Sequence, residues 1–148
     1  MDRTVGLVNF CSLSMALTLL WTGMASAQGA HPMATRETVQ TYFQHLRQRG
    51  DWTSLLAEDM TFISFTSPNK RVTGKGAYLE ATKRFYASIQ SVELRDLLVD
   101  GDRACALTHY ILRGPGGDFE SDVAEVFEIH GGRISSFDIY FDTAPFPK

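Results

Sequence analysis

The chain has 148 residues, of which 44% are hydrophobic and 21% charged, and its formal net charge is −3 at neutral pH. This length and this balance are typical of a single globular domain with a short additional segment. A mildly acidic chain without a basic cluster argues against binding to nucleic acid.

The additional segment lies at the N-terminus. Arg3 precedes an apolar run at residues 6–21, and Ala25–Ala27 follow with the small residues of a cleavage site. This order is typical of a secretory signal peptide. An uncleaved membrane anchor is the alternative, but Asn9 and Ser12 leave the run well below the roughly 18 clean apolar residues that a membrane span needs. The sequence therefore predicts a signal peptide at residues 1–27 and an exported protein, periplasmic or secreted.

Cleavage after Ala27 would leave one domain at residues 28–148. A domain of this size buries about two thirds of the surface that its unfolded chain exposes, which is enough for a core without covalent cross-links. Cys105 is its one cysteine, so no disulfide can form within the mature chain. No second apolar run of spanning length follows, so we expect no membrane contact after cleavage.

Two segments have the spacing of amphipathic helices. The first is predicted over Thr35–Arg49, with Thr35 as its cap and Gly50 at its end. The second is predicted over Lys75–Gln90, and a shorter helix is predicted over Trp52–Glu58. The apolar stripes of the two longer helices consist of Val39, Tyr42, Phe43, Leu46, Tyr78, Ala81, Phe85 and Ile89, with Tyr86 beside them.

The rest of the domain has the alternation and turn residues of strands. Strands are predicted at residues 59–66, 71–73, 91–99, 103–113, 120–130 and 134–141. Asp100-Gly101 and Gly131-Gly132 are typical of two-residue hairpin turns, because glycine accepts the positive φ that such turns need. Helices followed by a run of strands predict an α+β fold, with helices on one face of a curved antiparallel sheet.

Glu125 is the main functional candidate. Alternation in the strand at 120–130 puts Glu125 on the same face as Val123, Phe127 and Ile129. A carboxylate among apolar side chains is costly unless it is paired, protonated or open to a cavity. Glu125 is thus either a proton-holding group in a cavity or a rim residue that pairs with an arginine or with a second subunit.

His109 is a second candidate, on the strand at 103–113. A one-residue change of register exchanges the faces of His109 and Tyr110, and the loop at Gly114–Gly117 allows more than one register. Both faces therefore stay open. His109 is either a hydrogen-bonded structural residue or a proton carrier opposite Glu125, since histidine titrates near neutral pH.

The order of elements resembles the nuclear-transport-factor-2-like superfamily, which includes SnoaL-like proteins and ketosteroid isomerases. The resemblance covers residues 35–142 and is carried by residues 39–51, 58–62 and 127–142. It implies a cone-shaped sheet with helices packed on its concave face and a cavity between them.

In the ketosteroid isomerases that cavity holds a tyrosine of the first helix, a neutral acid on a late strand and a base on the first strand. By resemblance, Tyr42 matches the tyrosine and Glu125 matches the neutral acid. The base position falls on Ser64, which is not a base at neutral pH, so ketosteroid isomerisation itself is not implied.

We expect an exported SnoaL-like protein that binds a hydrophobic small molecule. It would be an isomerase or another proton-transfer enzyme acting on a carbonyl compound, with Tyr42, His109 and Glu125 as its catalytic residues. No cofactor and no metal are expected, because the histidines lack ligand spacing. The residues expected to bind the ligand are Trp52, Phe62, Ser64, Phe85, Phe127, Phe137, Ile139 and Phe141.

The alternative is a non-catalytic module that forms a homodimer through its open sheet face, with a filled core in place of a cavity. Asp138, Tyr140 and Asp142 share one face of the last strand, and we interpret that face as an outer or dimer-facing surface. A cavity of roughly 300 Å³ or more with convergent polar groups would favour ligand binding over this alternative.

Overall fold

One curved, unclosed sheet of six strands carries two helices on its concave face, as the computed structural model of residues 32–65 and 70–144 describes it. The predicted α+β fold is confirmed. The predicted signal peptide lies outside the described residues. Neither of the two described helices has the length and apolar character needed to cross a membrane. The elements are α1 (Pro32–Gln48), a 3-10 turn (Thr53–Leu55), β1 (Leu56–Ser64), β2 (Arg71–Thr73), α2 (Lys75–Ser88), β3 (Ile89–Asp100), β4 (Arg103–Gly114), β5 (Gly117–His130) and β6 (Arg133–Phe141).

The strand order is β2-β1-β6-β5-β4-β3. Neighbouring strands are antiparallel except β1 and β6, which are parallel, so the sheet is mixed rather than wholly antiparallel. β6 ends a series of antiparallel strands and returns beside β1 in the same direction. Irregular register near Leu94 in β3 and near Glu128 in β5 bends these strands, as β-bulges do.

Helix α1 starts three residues before its predicted start, at Pro32, a residue that suits the first turn of a helix. Thr35 is therefore not the cap; its hydroxyl donates to the carbonyl of Gly101 at 2.9 Å and ties α1 to the β3–β4 turn. The predicted apolar stripe of α1 is buried against the sheet. This burial fixes the helix across the concave face.

The predicted helix at Trp52–Glu58 is wrong. Asp51 accepts hydrogen bonds from Thr53 and from the Ser54 amide, as a helix cap does, but only one 3-10 turn forms. Leu56 then pairs with Ile134 as the start of β1. The strand pairing therefore outweighs the local helical preference.

The turn between β4 and β5 settles the two faces of β4. Gly114 pairs with Gly117, which places Ala106 opposite Glu125 and Thr108 opposite Val123. Thr108 and Tyr110 consequently share the concave face with Glu125.

Candidate ligand cavity

A cavity of about 510 Å³, here called the central cavity, lies between α2 and the concave face of the sheet. Its walls are mostly apolar and aromatic. They are formed by Phe62, Ser64, Val72, Tyr78, Ala81, Thr82, Phe85, Tyr86, Tyr110, Val123, Glu125, Phe137, Ile139 and Phe141. Among these residues Glu125 is the one with a carboxyl group, and none is Lys, Arg or His.

Glu125 reaches the cavity wall from β5 and is 1% exposed. The hydroxyl groups of Thr108 and Tyr110 both donate to its Oε1 at 2.7 Å. Among the described residues, no side chain donates to Oε2. Burial raises the pKa of Glu125 from its ordinary value of 4.5 to about 7, and the two hydroxyl bonds oppose this rise by favouring the carboxylate. Glu125 can therefore both hold and release a proton near neutral pH.

Three phenols form a second polar group beside Glu125. The Tyr42 hydroxyl lies 2.7 Å from that of Tyr86, and the Tyr86 hydroxyl also bonds that of Tyr78. Two bonds among three hydroxyl groups use two of the three protons. Tyr42 does not line the cavity, so if it donates inward to Tyr86, the third proton belongs to Tyr78 or Tyr86, both of which line the cavity.

The phenols stay protonated over the physiological pH range. Burial raises the pKa of Tyr42, Tyr78, Tyr86 and Tyr110 well above the ordinary value of 10.0, and the charge of Glu125 raises each further. They can donate hydrogen bonds to a ligand oxygen but cannot act as bases at neutral pH.

Six of the eight predicted ligand-binding residues line the central cavity. They are Phe62, Ser64, Phe85, Phe137, Ile139 and Phe141. Phe127 does not; it is fully buried, with its ring 4.7 Å from that of Phe137. Trp52 also lies outside, because its indole stacks at 4.2 Å on the ring of Tyr86 and lines a separate cleft.

The prediction that His109 lies opposite Glu125 is wrong. His109 occupies the other face of the sheet, where its Nδ1 lies 2.7 Å from Asp122 and its Nε2 lies 3.9 Å from Glu120. The reason is the register of the β4–β5 turn, which turns Tyr110 inward and its neighbour outward. Of the three predicted catalytic residues, the structure thus brings Tyr42 and Glu125 to the same region and leaves His109 outside.

Sequence reasoning did not identify Thr108, Tyr110, Tyr78 and Tyr86 as polar residues of the cavity. Tyr78 and Tyr86 were visible as aromatic positions on the second helix, where the pattern predicted core packing. Tyr110 was visible as the register alternative to His109. Within the described parts of the chain, no group of three His, Cys, Asp or Glu side chains could hold a metal ion.

The curved sheet, the two helices and the cavity with a buried acid define a nuclear-transport-factor-2-like fold. A family model for the SnoaL-like domain matches residues 39–137. The chain belongs to the SnoaL-like family, and the resemblance noted from the sequence is confirmed.

Solved structures with similar folds include three proteins that are described as different kinds of enzyme. A proposed ketosteroid isomerase from Kribbella flavida is 26% identical, with a TM-score of 0.62, over 78% of this chain and 83% of that one. A proposed SnoaL-like polyketide cyclase from Jannaschia is 15% identical, with a TM-score of 0.64, over 74% and 86%. An LEH-like epoxide hydrolase from M. tuberculosis is 19% identical, with a TM-score of 0.64, over 76% and 86%. At 15% and 19% identity the latter two show the fold alone. No protein of curated function is significantly similar in sequence.

Proposed function

We propose that the central cavity binds a hydrophobic carbonyl compound and that Glu125 transfers a proton on it, as in an isomerase or a related proton-transfer enzyme. One observation carries the proposal: a carboxyl group that is 1% exposed lies in the wall of an apolar cavity, with no basic residue among the described lining residues. This burial raises the pKa of Glu125 to about 7. A catalytic acid–base group works best when its pKa lies near the working pH.

The shape and lining of the cavity support a small apolar ligand. Its volume of about 510 Å³ is within the range of small-molecule sites, which is roughly 300–1,000 Å³. The SnoaL-like fold is in general a small-molecule-binding domain. Few polar groups project into the cavity, so the ligand needs few polar atoms, and an oxygen that accepts hydrogen bonds suits the phenols best.

Residues of this chain can carry out every step of the proton transfer. The carboxylate of Glu125 takes a proton from the carbon beside the carbonyl, and the electron pair of that C–H bond forms the enolate. A hydroxyl of Tyr78 or Tyr86 donates to the enolate oxygen and stabilises its charge. Glu125 then returns the proton to the same carbon or, in a conjugated enolate, to another one, which isomerises the compound.

Deuterium exchange tests this proposal. The full protein is incubated in D₂O with a panel of cyclic and β,γ-unsaturated ketones, and exchange beside the carbonyl is followed by NMR. We expect exchange on at least one ketone, and a loss of about 100-fold or more in Glu125→Gln. His109→Gln is the matched control and should keep the parent rate, because His109 faces away from the cavity. Parental exchange rates in Glu125→Gln would overturn the assignment.

We also propose that the outer face of the sheet pairs with a second copy of the chain. Its support is an apolar row across three strands and the residue that follows β1: Leu107 lies beside Ala124, Ala124 beside Tyr140, and the exposed Tyr140 ring stacks at 4.9 Å on Phe65. Leu107 and Tyr140 are 41% and 47% exposed, and a contiguous apolar surface of this kind marks an interface.

The oligomeric state tests the pairing. We expect a dimer by light scattering after gel filtration, and a monomer for Leu107→Glu, because a charge on each copy would face the interface. Gln44→Glu, on the exposed side of α1, adds the same charge elsewhere and should stay dimeric. A monomeric parent chain would rule the pairing out.

Export remains a proposal of its own. It rests on the charged, apolar and small-residue order of residues 1–27. Mass spectrometry of the protein from its native host should show a chain that begins at Gln28, in the periplasm or the medium. Recovery of the uncut chain from the cytoplasm would contradict export.

A further inference from the structure

A second cleft, here called the arginine cleft, opens where the C-terminal ends of α1 and α2 meet the start of β3. Its volume is about 660 Å³. Buried and half-buried apolar side chains form its inner part, and three exposed arginines lie around them: Arg47, Arg49 and Arg113. The cleft thus joins an apolar surface to a concentrated positive charge.

The charge of the arginine cleft is only partly neutralised within the described residues. None of its lining residues is Asp or Glu. Arg47 and Arg49 form no ion pair with any described residue, and Arg113 donates to Gln90 at 2.6 Å and lies 3.7 Å from Asp118. At least two guanidinium groups therefore remain available to an anion.

Helix electrostatics explains only part of this cluster. Arg47 lies in the last turn of α1, where a positive side chain is favoured by the helix dipole. Arg113 has no such explanation, since it reaches the cleft from β4 on the other side. Two separate elements therefore bring arginines to one cleft.

The backbone at Arg49 gives an independent sign of constraint. Arg49 has φ of +55°, the left-handed conformation that usually selects glycine at the end of a helix. The Gly50 amide donates to the His45 carbonyl at 2.8 Å, and the Arg49 amide donates to that of Leu46 at 3.4 Å, so the helix ends in a Schellman motif. Glycine would fit this position with less strain. A residue other than glycine in this conformation points to a functional requirement for its side chain.

We infer that the arginine cleft binds an amphipathic organic anion. Its carboxylate or other oxyanion would contact the guanidinium groups, which match planar oxyanions with paired hydrogen bonds. Its apolar body would pack on Trp52, Ile89 and Leu46, which line the inner part.

This site is distinct from the central cavity. Among the described residues Tyr86 alone lines both, with its hydroxyl in the phenol group and its ring stacked on Trp52. Glu125 does not line the arginine cleft, so binding there does not depend on the proposed proton transfer.

Calorimetric titration of the full protein with phenylbutyrate tests the inference. Phenylbutanol, which has the same apolar body without the charge, is the matched ligand, and inorganic phosphate tests the anion alone. We expect phenylbutyrate to bind, to weaken at high salt, and to bind more tightly than either comparison ligand. Arg49→Gly and Arg113→Gln should each lower its affinity about tenfold.

Two controls make the result decisive. Arg84→Gln removes an exposed arginine of α2 that does not line the cleft, and it should leave the affinity unchanged. Glu125→Gln should also leave it unchanged, which separates this site from the proposed function. Arg49→Gly relieves the backbone at this position, so lost binding there cannot come from unfolding. Absence of phenylbutyrate binding, or binding that both cleft variants retain, would overturn the inference. Phosphate binding as tight as phenylbutyrate binding would overturn the amphipathic ligand class.

Discussion

Two of the carboxylates of strand β5, Glu125 and Asp122, lie three residues apart on opposite faces of the sheet. Glu125 faces inward, where burial raises its pKa to about 7 although two hydroxyl groups donate to it. Asp122 faces outward, where the hydrogen bond with His109 and the charge of Arg95 lower its pKa below the ordinary value of 3.8. The two residues have similar chemistry, and the face of the sheet decides their protonation.

The difference shows where proton chemistry belongs in this fold. An exposed carboxylate beside cations is a fixed charge at every pH at which proteins are usually studied. A buried one without a cation exchanges its proton near neutrality. His109, which the sequence suggested as a functional residue, lies on the outer face, where it contacts the carboxylate of Asp122.

Replacing Glu125 with Gln should have the largest effect, because it removes the buried acid whose protonation differs from that of Asp122. Because the folded pKa of about 7 exceeds the ordinary value of 4.5, the folded state favours the protonated acid. The preference for protonated Glu125 stabilises the folded protein below pH 4.5, and this stabilisation is lost as the pH rises through 7. The free energy of unfolding falls by about 3 kcal/mol as a result.

Urea unfolding at pH 5 and pH 8 measures this dependence. The parent protein should be less stable at pH 8 by an amount on the order of 2 kcal/mol, and Glu125→Gln should show little of this loss. Glu120→Gln makes the same chemical change at an exposed position of β5 and should keep the parental dependence. An equal fall in Glu125→Gln and the parent would contradict the buried acid.

Removing one hydrogen-bond donor to Glu125 should increase the difference in pKa between Glu125 and Asp122, with a smaller effect on stability than removing Glu125 itself. Tyr110→Phe deletes a hydroxyl that favours the carboxylate, so the pKa of Glu125 should rise further and the fall in stability should move to higher pH. At pH 5 the lost hydrogen bond should cost about 1 kcal/mol of unfolding free energy.

The same unfolding series checks this shift. Tyr140→Phe removes a phenol hydroxyl from the outer face and serves as the control, with no expected change in the pH at which stability falls. A shift toward lower pH in Tyr110→Phe would show that the phenol does not stabilise the carboxylate.

Asp122→Asn should have the smallest effect, because its ion pairs are exposed to solvent and screened by salt. Its lowered pKa contributes stability that is present above pH 3.8 and is lost as the pH falls below that value. The variant should therefore match the parent's pH dependence between pH 5 and pH 8, with a slightly lower Tm throughout that range, and the difference in Tm should disappear below pH 4. Thermal melts of the parent and the variant across this pH range measure these differences in Tm. A changed pH dependence of Tm near pH 7 in Asp122→Asn would show that Glu125 is not the main source of that dependence.

Much of the fold could be predicted because it depends on local periodicity. The stripe of α1 and the alternation of β5 are both read from neighbouring residues, and both are buried as predicted. The turn at Gly131 and Gly132 has positive φ at both residues, as the hairpin requires. The parallel pairing of β1 with β6 could not be read in this way, because it joins residues more than seventy positions apart.

The candidate site was only partly predictable. Alternation identified Glu125, but the donors to its Oε1 come from β4, whose register depends on a short glycine turn. The same turn excluded His109. The phenols of Tyr42, Tyr78 and Tyr86 come from two helices, and their sequence spacing gives no sign that their hydroxyl groups meet.

The sequence by itself determined that one acidic side chain lies on the apolar face of β5, since side-chain direction alternates residue by residue within a strand. Only the tertiary structure decided what surrounds that acid: two hydroxyl groups, three nearby phenols and no cation among the described residues of the cavity wall. The physical reason is that direction is a property of one strand, whereas the pKa depends on every element that packs around the group.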